Sequence, residues 1–583
     1  MSSIKKLAGQ TAWYGLSSIA ARFINYLLTP YLTYKFTEAA YGEMSIIYSF
    51  IPFLNVLVTH GMETAYFRFG SKENEDKIYH TSSISMIFVT SIVVLAMLMY
   101  SGPLSTLLQI TLHPEYISMM AWVVGLDALT TIPFSRLRLS EQPKKFAFIK
   151  IGGIVLNIAA TYFFISTLPQ LAQENPTGFW ATSFKTDWAV GYILLANIIQ
   201  NIFVLLLLQK EIRALRFSFD IKLWAQMMVY ALPLILVGFG GMVNETFDRI
   251  MLGWWAPGGS VEANKMEVGI YAACYKLSIL ITISIQAFRM GAEPFFFKTA
   301  SSDQAQKTYA RIMKFFVITL CIMFLGVVLY LDIWKLFIRN PAMYVGLRVV
   351  PILLIANMFL GIYYNLSIWY KLSNKTMAGA WITLLGALIT LIINYIAIPH
   401  FSYMASAWAT FCCYGTMMVV SYQWGQRVYP IPYATKKLIA YFIISLLIYG
   451  INNLVHLVSS NQPFNYLFAT ILLVLFIVFV LKIERKELKN LMNTTTELFR
   501  QVSRQHILHA ITHLDNGAQS KFADSIKFDV LFQGKRYPPK EVAVLALEIL
   551  ANKEFEPSDF SGGESSASFR ALLRCGFTIV PKK

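Results

Sequence analysis

Of the 583 residues, 56% are hydrophobic and only 14% charged, with a mean hydropathy of +0.53. That is more apolar surface than a soluble core can bury, so most of the chain must face lipid. The net charge of +17 is concentrated in alternate loops between apolar runs, which marks membrane topology and excludes a nucleic-acid footprint as its reading.

At about 20 apolar residues per crossing, spans are predicted near 11–32, 42–66, 80–101, 117–139, 147–166, 188–209, 229–253 and 267–293. Six more follow near 312–331, 345–370, 377–398, 402–424, 437–457 and 463–482. The expected fold is an all-α polytopic membrane protein of about 14 helices. Lys5 and Lys6, with the loops carrying Lys72 and Lys77, Arg136 to Lys145, Lys210 to Lys222, Lys298 to Arg311, Lys371 and Lys375, and Arg427 to Lys437, lie on one side. They hold roughly 20 basic residues against roughly five on the other side, which places both termini in the cytoplasm. The first apolar segment is too long for a cleavable leader and lacks a small-residue cleavage site, so it is expected to stay as a helix. Cys274, Cys321, Cys412, Cys413 and Cys575 lack metal-type spacing and read as core residues.

Charges inside apolar spans each cost about 2.5–3.5 kcal/mol at a helix centre, so they face a cavity or a partner. Arg22 is mid-span in the first helix, Arg249 lies on the seventh, and Lys276 and Arg289 lie on the eighth. If these four face one cavity they form a basic ladder for an anionic group, since arginine grips phosphate through parallel hydrogen bonds. A structural alternative stands beside it. Glu245 and Arg249, and in the reverse order Arg289 and Glu293, are spaced four apart and can pair along their own helices. Asp127 in the fourth span is the deepest acid and the candidate for a coupled proton or sodium ion, with Asp248 as a second. Glu63 and Glu293, near helix ends, are candidates for a gate. Pro233 followed by Gly238, Gly240 and Gly241 marks a hinge in the seventh span, because proline removes a backbone bond and small residues relax the ladder.

The chain also repeats itself. Tyr41, Ile51, Gly61, Glu63 and Phe67 are matched 230 positions later by Tyr271, Ile281, Gly291, Glu293 and Phe297. Two related lobes suit a transporter that binds cargo between them and rocks to expose it to alternate faces. The expected division is residues 1–216 for one six-helix lobe, 217–428 for the other, 429–485 for two added helices and 486–583 for a soluble cytoplasmic domain of α+β type.

Several runs then become specific: Leu28-Thr29-Pro30, Tyr41-Gly42-Glu43, Gly61-Met62-Glu63, Phe67-Arg68-Phe69, Leu137-Arg138, Asp248-Arg249-Ile250-Met251-Leu252-Gly253 and Gly269-Ile270-Tyr271. Together they resemble polysaccharide flippases of the Wzx type, in the multidrug/oligosaccharidyl-lipid/polysaccharide exporter superfamily, over residues 1–485. The resemblance implies flipping of an undecaprenyl-diphosphate-linked oligosaccharide between leaflets of a bacterial inner membrane, with no cofactor and with the membrane potential, H⁺ or Na⁺ as the coupled driving force. The polyprenyl-diphosphate-linked oligosaccharide and membrane lipid are the implied partners. The lipid II branch and drug or cation antiport in the same superfamily are alternatives, as is a membrane-anchored signalling or defence protein acting through the tail. A cationic cavity argues against cationic drugs by repulsion.

The tail reads as helices near 497–515 and 540–552 with a strand at Phe528–Phe532 before a Gly534 turn. Gly534-Lys535-Arg536-Tyr537-Pro538-Pro539-Lys540 and Phe560-Ser561-Gly562-Gly563-Glu564 resemble a small head domain found in front of some HNH nucleases. No HNH residues follow, so nuclease activity is not implied, and the partner of the tail is unknown. His506, His509 and His513 share a helix face, which a solvated amphipathic helix explains without metal. No catalytic constellation is expected.

Overall fold

The computed structural model describes residues 19–20, 22–70, 75–300, 305–373, 375–485, 487, 498–516, 528–551, 555 and 566–582, except the side chains of Pro294 and Lys298. Thirteen helices are long and apolar enough to cross a membrane. We label them α1 (Glu38–Thr59), α2 (Glu75–Met99), α3 (Glu115–Leu139), α4 (Pro143–Tyr162), α5 (Ala189–Leu207), α6 (Ile221–Trp255) and α7 (Val261–Thr299). The rest are α8 (Ala305–Val328), α9 (Val350–Leu366), α10 (Thr376–Phe401), α11 (Tyr403–Val428), α12 (Thr435–Val458) and α13 (Gln462–Ile483). Each matches a span read from the sequence. The remaining span, 11–32, falls partly outside the described residues, as do Lys5, Lys6, Lys72 and the Gly562-Gly563 turn.

Local chemistry sets the helix starts. Thr37 and Ser260 accept the N–H groups of Ala40 and Ala263 ahead of α1 and α7, and Asp220 accepts those of Lys222 and Leu223 ahead of α6, filling donors that a helix start leaves open. Lys77 reaches the same Asp220 carboxylate at 2.6 Å, and these bonds hold its pKa down to about 2.

Three departures from the sequence reading have physical causes. The run read as one span over 42–66 ends at Thr59, because His60 and Gly61 take φ 32° and 74° before a second helix, Met62–Gly70. α4 continues through a π-helical segment, Phe163–Thr167, into Leu168–Glu174, so this crossing extends past the apolar run. α6 runs without interruption through Pro233. Gly238 lies against Val56 and Gly240 against Leu384 and Thr383, while Gly241 opens on free space.

The repeat-related helices α1 and α7 share an extensive seam. A Cβ on Gly42 would lie 1.8 Å from the Lys265 carbonyl oxygen, and one on Gly269 would lie 1.9 Å from that of Glu38. Only glycine allows this backbone approach. The 230-residue offset pairs Gly42 with Ala272 and Gly269 with Ala39, so each glycine of the seam is matched by an alanine in the other helix of the repeat. Beside it Glu43 and Lys265 form an ion pair at 3.1 Å, with side chains 12% and 4% exposed.

The chain divides into two compact units, residues 1–473 and 474–583, the division falling inside α13. In the second unit, β1 (Phe528–Phe532) and β2 (Lys535–Tyr537) form a hairpin whose turn, Gln533-Gly534, has φ 49° and 78°, the geometry of a two-residue connection that favours glycine. β3 (Thr578–Pro581) pairs antiparallel with the other edge of β1. Helices α14 (Arg504–Asp515), α15 (Pro539–Ala551) and α16 (Ala567–Arg574) complete this unit. Ile507, Ala510, Val530, Val542, Leu547 and Leu572 lie at the centre of its core.

Candidate functional site

The basic residues singled out in the spans gather in two groups. At one level of the bundle, Arg249 of α6 lies 4.3 Å from the centre of the Tyr275 ring on α7, and the charge of Lys276 lies within electrostatic reach. Nearer the Thr299 end of α7, Arg22 hydrogen-bonds Gln286 and shares the electrostatic surroundings of Tyr364 with Arg289 and Glu245. Glu245 and Tyr414 join the groups: the Tyr414 phenol is in electrostatic reach of Tyr275, Glu245 and Tyr364, and donates to the Asn244 carbonyl at 3.2 Å. Lys276 and Arg289 are 13 residues apart on one helix, which at 1.5 Å per residue is about 20 Å.

The four cations differ in how committed they are. Arg249 is 9% exposed, and its Nη1 donates to the Glu245 backbone carbonyl at 3.0 Å and to the Asp248 carboxylate at 3.3 Å. Tyr271 donates to the other Asp248 oxygen at 2.6 Å. The pairing of Arg249 with the Glu245 side chain, open on sequence spacing, is thus replaced by one with its neighbour Asp248. Among the described residues the Glu245 carboxylate has no ion-pair partner. Arg289 does pair with Glu293 at 2.8 Å, and Lys371 of the segment after α9 reaches the same carboxylate at 2.6 Å. Arg22 and Lys276 have no carboxylate within ion-pair distance among the described residues.

The acids split by lobe. Glu63 pairs with Arg138 at 3.2 Å, whereas its repeat counterpart Glu293 pairs with Arg289 and Lys371. Asp127 faces Lys150 of α4, whose charge also reaches Glu63 and Arg138, and the Lys150 ammonium sits 4.3 Å over the Phe134 ring. Lys150 was missed by the sequence reading. Its signal was a lysine inside an apolar run, the criterion that picked out Arg22. No trio of His, Cys, Asp or Glu gathers in metal-binding geometry among the described residues. His506 closes a capping box with Ser503 at the start of α14.

Two further features lie outside the ladder. An apolar groove of about 440 Å³ lies between α8, α9, α11 and α12, lined by Val317, Phe359, Met418, Tyr422 and Phe442. On the opposite lobe, the aromatic segment ahead of α5 packs on itself. Trp188 meets Tyr192 at 5.1 Å and donates to Glu115 at 3.0 Å, and Trp180 meets Phe163 at 5.9 Å, while Phe179 stays 72% exposed.

A family model described as polysaccharide biosynthesis protein matches residues 7–300, and one described as ScoMcrA-like, N-terminal head domain, matches residues 500–581. An Lsg locus protein of Haemophilus influenzae is 20% identical over 296 residues, which are 49% of this chain and 64% of that protein. The chain thus spans under two thirds of the curated relatives it matches. Among solved structures, one described as lipid II flippase MurJ in an inward closed conformation aligns with a TM-score of 0.65 at 13% identity, covering 82% of this chain and 99% of that one. A multidrug resistance MATE family transporter of the MOP superfamily, inward-facing, aligns with a TM-score of 0.55 at 11% identity over 72% of this chain and 95% of that one. At such identities the likeness is one of fold.

Proposed function

Because the chain belongs to the polysaccharide biosynthesis protein family, we propose that it is a non-enzymatic flippase carrying an undecaprenyl-diphosphate-linked oligosaccharide from the cytoplasmic to the outer leaflet by alternating access. What carries this reading is the arrangement of basic groups. Arg22, exposed where it bonds Gln286, and Lys276, half-buried on α7, have no carboxylate within ion-pair distance among the described residues, and each shares its surroundings with an arginine whose carboxylate partner can be displaced. A diphosphate supplies the missing anion, and arginine and lysine contacts to it are charge-assisted hydrogen bonds. Spread over about 20 Å of a hydrocarbon core near 30 Å thick, the rungs hand the headgroup from the Arg22–Arg289 level to the Arg249–Lys276 level. The apolar groove beside α12 suits a polyprenyl chain that stays in lipid while the headgroup crosses. The basic loops support a topology with both termini in the cytoplasm. Asp127, Asp248, Glu63 and Glu293 then act as gating acids that trade partners as the lobes rock, with Pro233 and the glycines after it as the flexing segment.

The test is the appearance of a polyprenyl-diphosphate oligosaccharide in the outer leaflet of vesicles, for the intact protein, for Arg22→Ala and for a truncation after Arg485. Flipping lost in Arg22→Ala but kept in the truncation is the expected result. Transport unchanged in Arg22→Ala would remove the ladder from the mechanism.

A further inference from the structure

Away from the ladder, the end of the bundle that carries the basic loops holds a polar cleft of about 200 Å³ between the last turn of α3 and the segment after α5. Arg136, Ser140, Gln142, Lys210 and Glu211 line it. Its charges are unevenly satisfied. Lys145 closes on the Glu211 carboxylate at 2.6 and 2.8 Å, and that carboxylate is 7% exposed. Arg136 gives Nη2 to Asp76 at 2.8 Å and lies 4.4 Å from the centre of the Tyr79 ring, whose hydroxyl donates to the Glu211 carbonyl at 2.7 Å. The other terminal guanidinium nitrogen, Nη1, is buried with no hydrogen-bond acceptor among the described residues. Lys210 has no carboxylate within ion-pair distance among them. Glu141, at φ 52° between Ser140 and Gln142, has a partner of its own. Counting Arg136, Lys145 and Lys210 against Asp76 and Glu211 leaves the cleft one positive charge in excess, with one buried donor unmet.

We propose that this cleft binds a phosphate-bearing anion, held by Arg136 and Lys210, with the Ser140 hydroxyl and Gln142 amide as neutral donors. A buried guanidinium nitrogen without an acceptor is costly, and a tetrahedral oxyanion is the ligand whose oxygens both a guanidinium and an ammonium meet best. Two sources share this chemistry, the headgroup of an anionic phospholipid and free phosphate. The surroundings favour the lipid. Phe148 on α4, 68% exposed, follows Lys145 by three residues, and Leu206 on α5, 60% exposed, precedes Lys210 by four, so exposed apolar side chains flank the headgroup seat along both chain segments. Basic pockets between membrane helices take anionic lipid headgroups in this way.

The experiment uses the full-length protein with phosphatidylglycerol, with phosphatidylcholine, and in lipid-free detergent with inorganic phosphate. Native mass spectrometry reads bound lipid, and thermal shift reads phosphate. Lys210→Gln carries the test, because no described side chain depends on Lys210; Arg136→Gln is the second variant, and Lys222→Gln, exposed at the same end, controls for general charge. Retention of one phosphatidylglycerol over phosphatidylcholine, weakened roughly tenfold by Lys210→Gln and Arg136→Gln and untouched by Lys222→Gln, supports the site with lipid as its ligand. A phosphate-dependent thermal shift lost in Lys210→Gln, with no lipid preference, supports the site with free phosphate as its ligand. Equal retention of both lipids with no phosphate shift, or equal losses in Lys210→Gln and Lys222→Gln, overturns it. None of these readouts depends on transport.

Discussion

Glu43 and Lys265 are both nearly buried, so removing one strands the other charge. Stranding a buried charge costs about 3–5 kcal/mol, whereas replacing both partners with apolar groups is often neutral. Lys265→Met is therefore expected to lower the apparent melting temperature sharply, and Glu43→Leu in the same chain to restore most of it. A double variant as unstable as the single one would mean the pair contributes through packing alone. In the second unit, Asp515 accepts hydrogen bonds from Lys535 and Tyr537 at 2.9 and 3.1 Å, and the Lys535 bond holds its pKa below the usual 3.8. A carboxyl with a depressed folded-state value adds stability above its unfolded pKa and loses it as pH falls through the folded one. Asp515→Asn should thus destabilise this unit at neutral pH and cease to differ from the parent once the pH is below that lowered value, read as melting temperature against pH; a gap that persists there would assign its role to shape. Individual charged residues were legible in the sequence where an apolar run framed them, as for Arg22, Lys276 and Asp127. Their partners were not. Lys265 lies 222 residues from Glu43, and Arg249 chose the adjacent Asp248 over the helically spaced Glu245 because the Tyr271 hydroxyl holds that carboxylate in place.

Among the elements, apolar runs located the helices well because a bilayer imposes their length and denies unpaired backbone any partner. The errors fall where backbone geometry, unseen in composition, decides: His60-Gly61 breaks one apolar run in two, and the π-helical turn at Phe163–Thr167 carries α4 beyond another. Gly291, the repeat counterpart of Gly61, stays helical within α7, so a shared residue does not ensure a shared bend. The seam of α1 and α7 depends on Gly42 and Gly269 in a different way. Each glycine faces a backbone carbonyl, which cannot rotate aside as a side chain can. Gly42→Ala and Gly269→Ala must push the helices apart, and overpacking of this kind costs about 1–3 kcal/mol. Gly241→Ala is the control, because a Cβ there meets open space and alanine is the better helix former. Thermal stability of the monodisperse protein should fall in the first two and hold or rise in the third. Equal behaviour of all three would mean that the seam closes by side chains alone.

For the molecule as a whole, the proposed cargo makes direction of transport a question of charge. A diphosphate headgroup carrying two negative charges gains about 2.3 kcal/mol per charge for each 100 mV it crosses outward, so about 4.6 kcal/mol in all at 100 mV, inside negative. That is a shift of roughly three orders of magnitude in the equilibrium between leaflets, enough to drive accumulation without a coupled ion. The outward passage needs the headgroup to leave its last cations, and Arg249 already has Asp248 at 3.3 Å to return to, so release does not leave that charge bare. Vesicles with a potassium gradient and a potassium ionophore set the potential. Outward accumulation of the labelled lipid-linked oligosaccharide should rise steeply with inside-negative potential and collapse when the gradient is removed, in the intact chain and in the truncation after Arg485 alike, since the residues beyond it hold a hydrophobic core of their own, from Phe499 to Phe577. Transport indifferent to the potential would mean that compensating cations travel with the headgroup. Asp127, facing Lys150 across α3 and α4, would then be the first acid to replace, and Asp127→Asn would be expected to restore sensitivity to potential as it abolished the coupled ion.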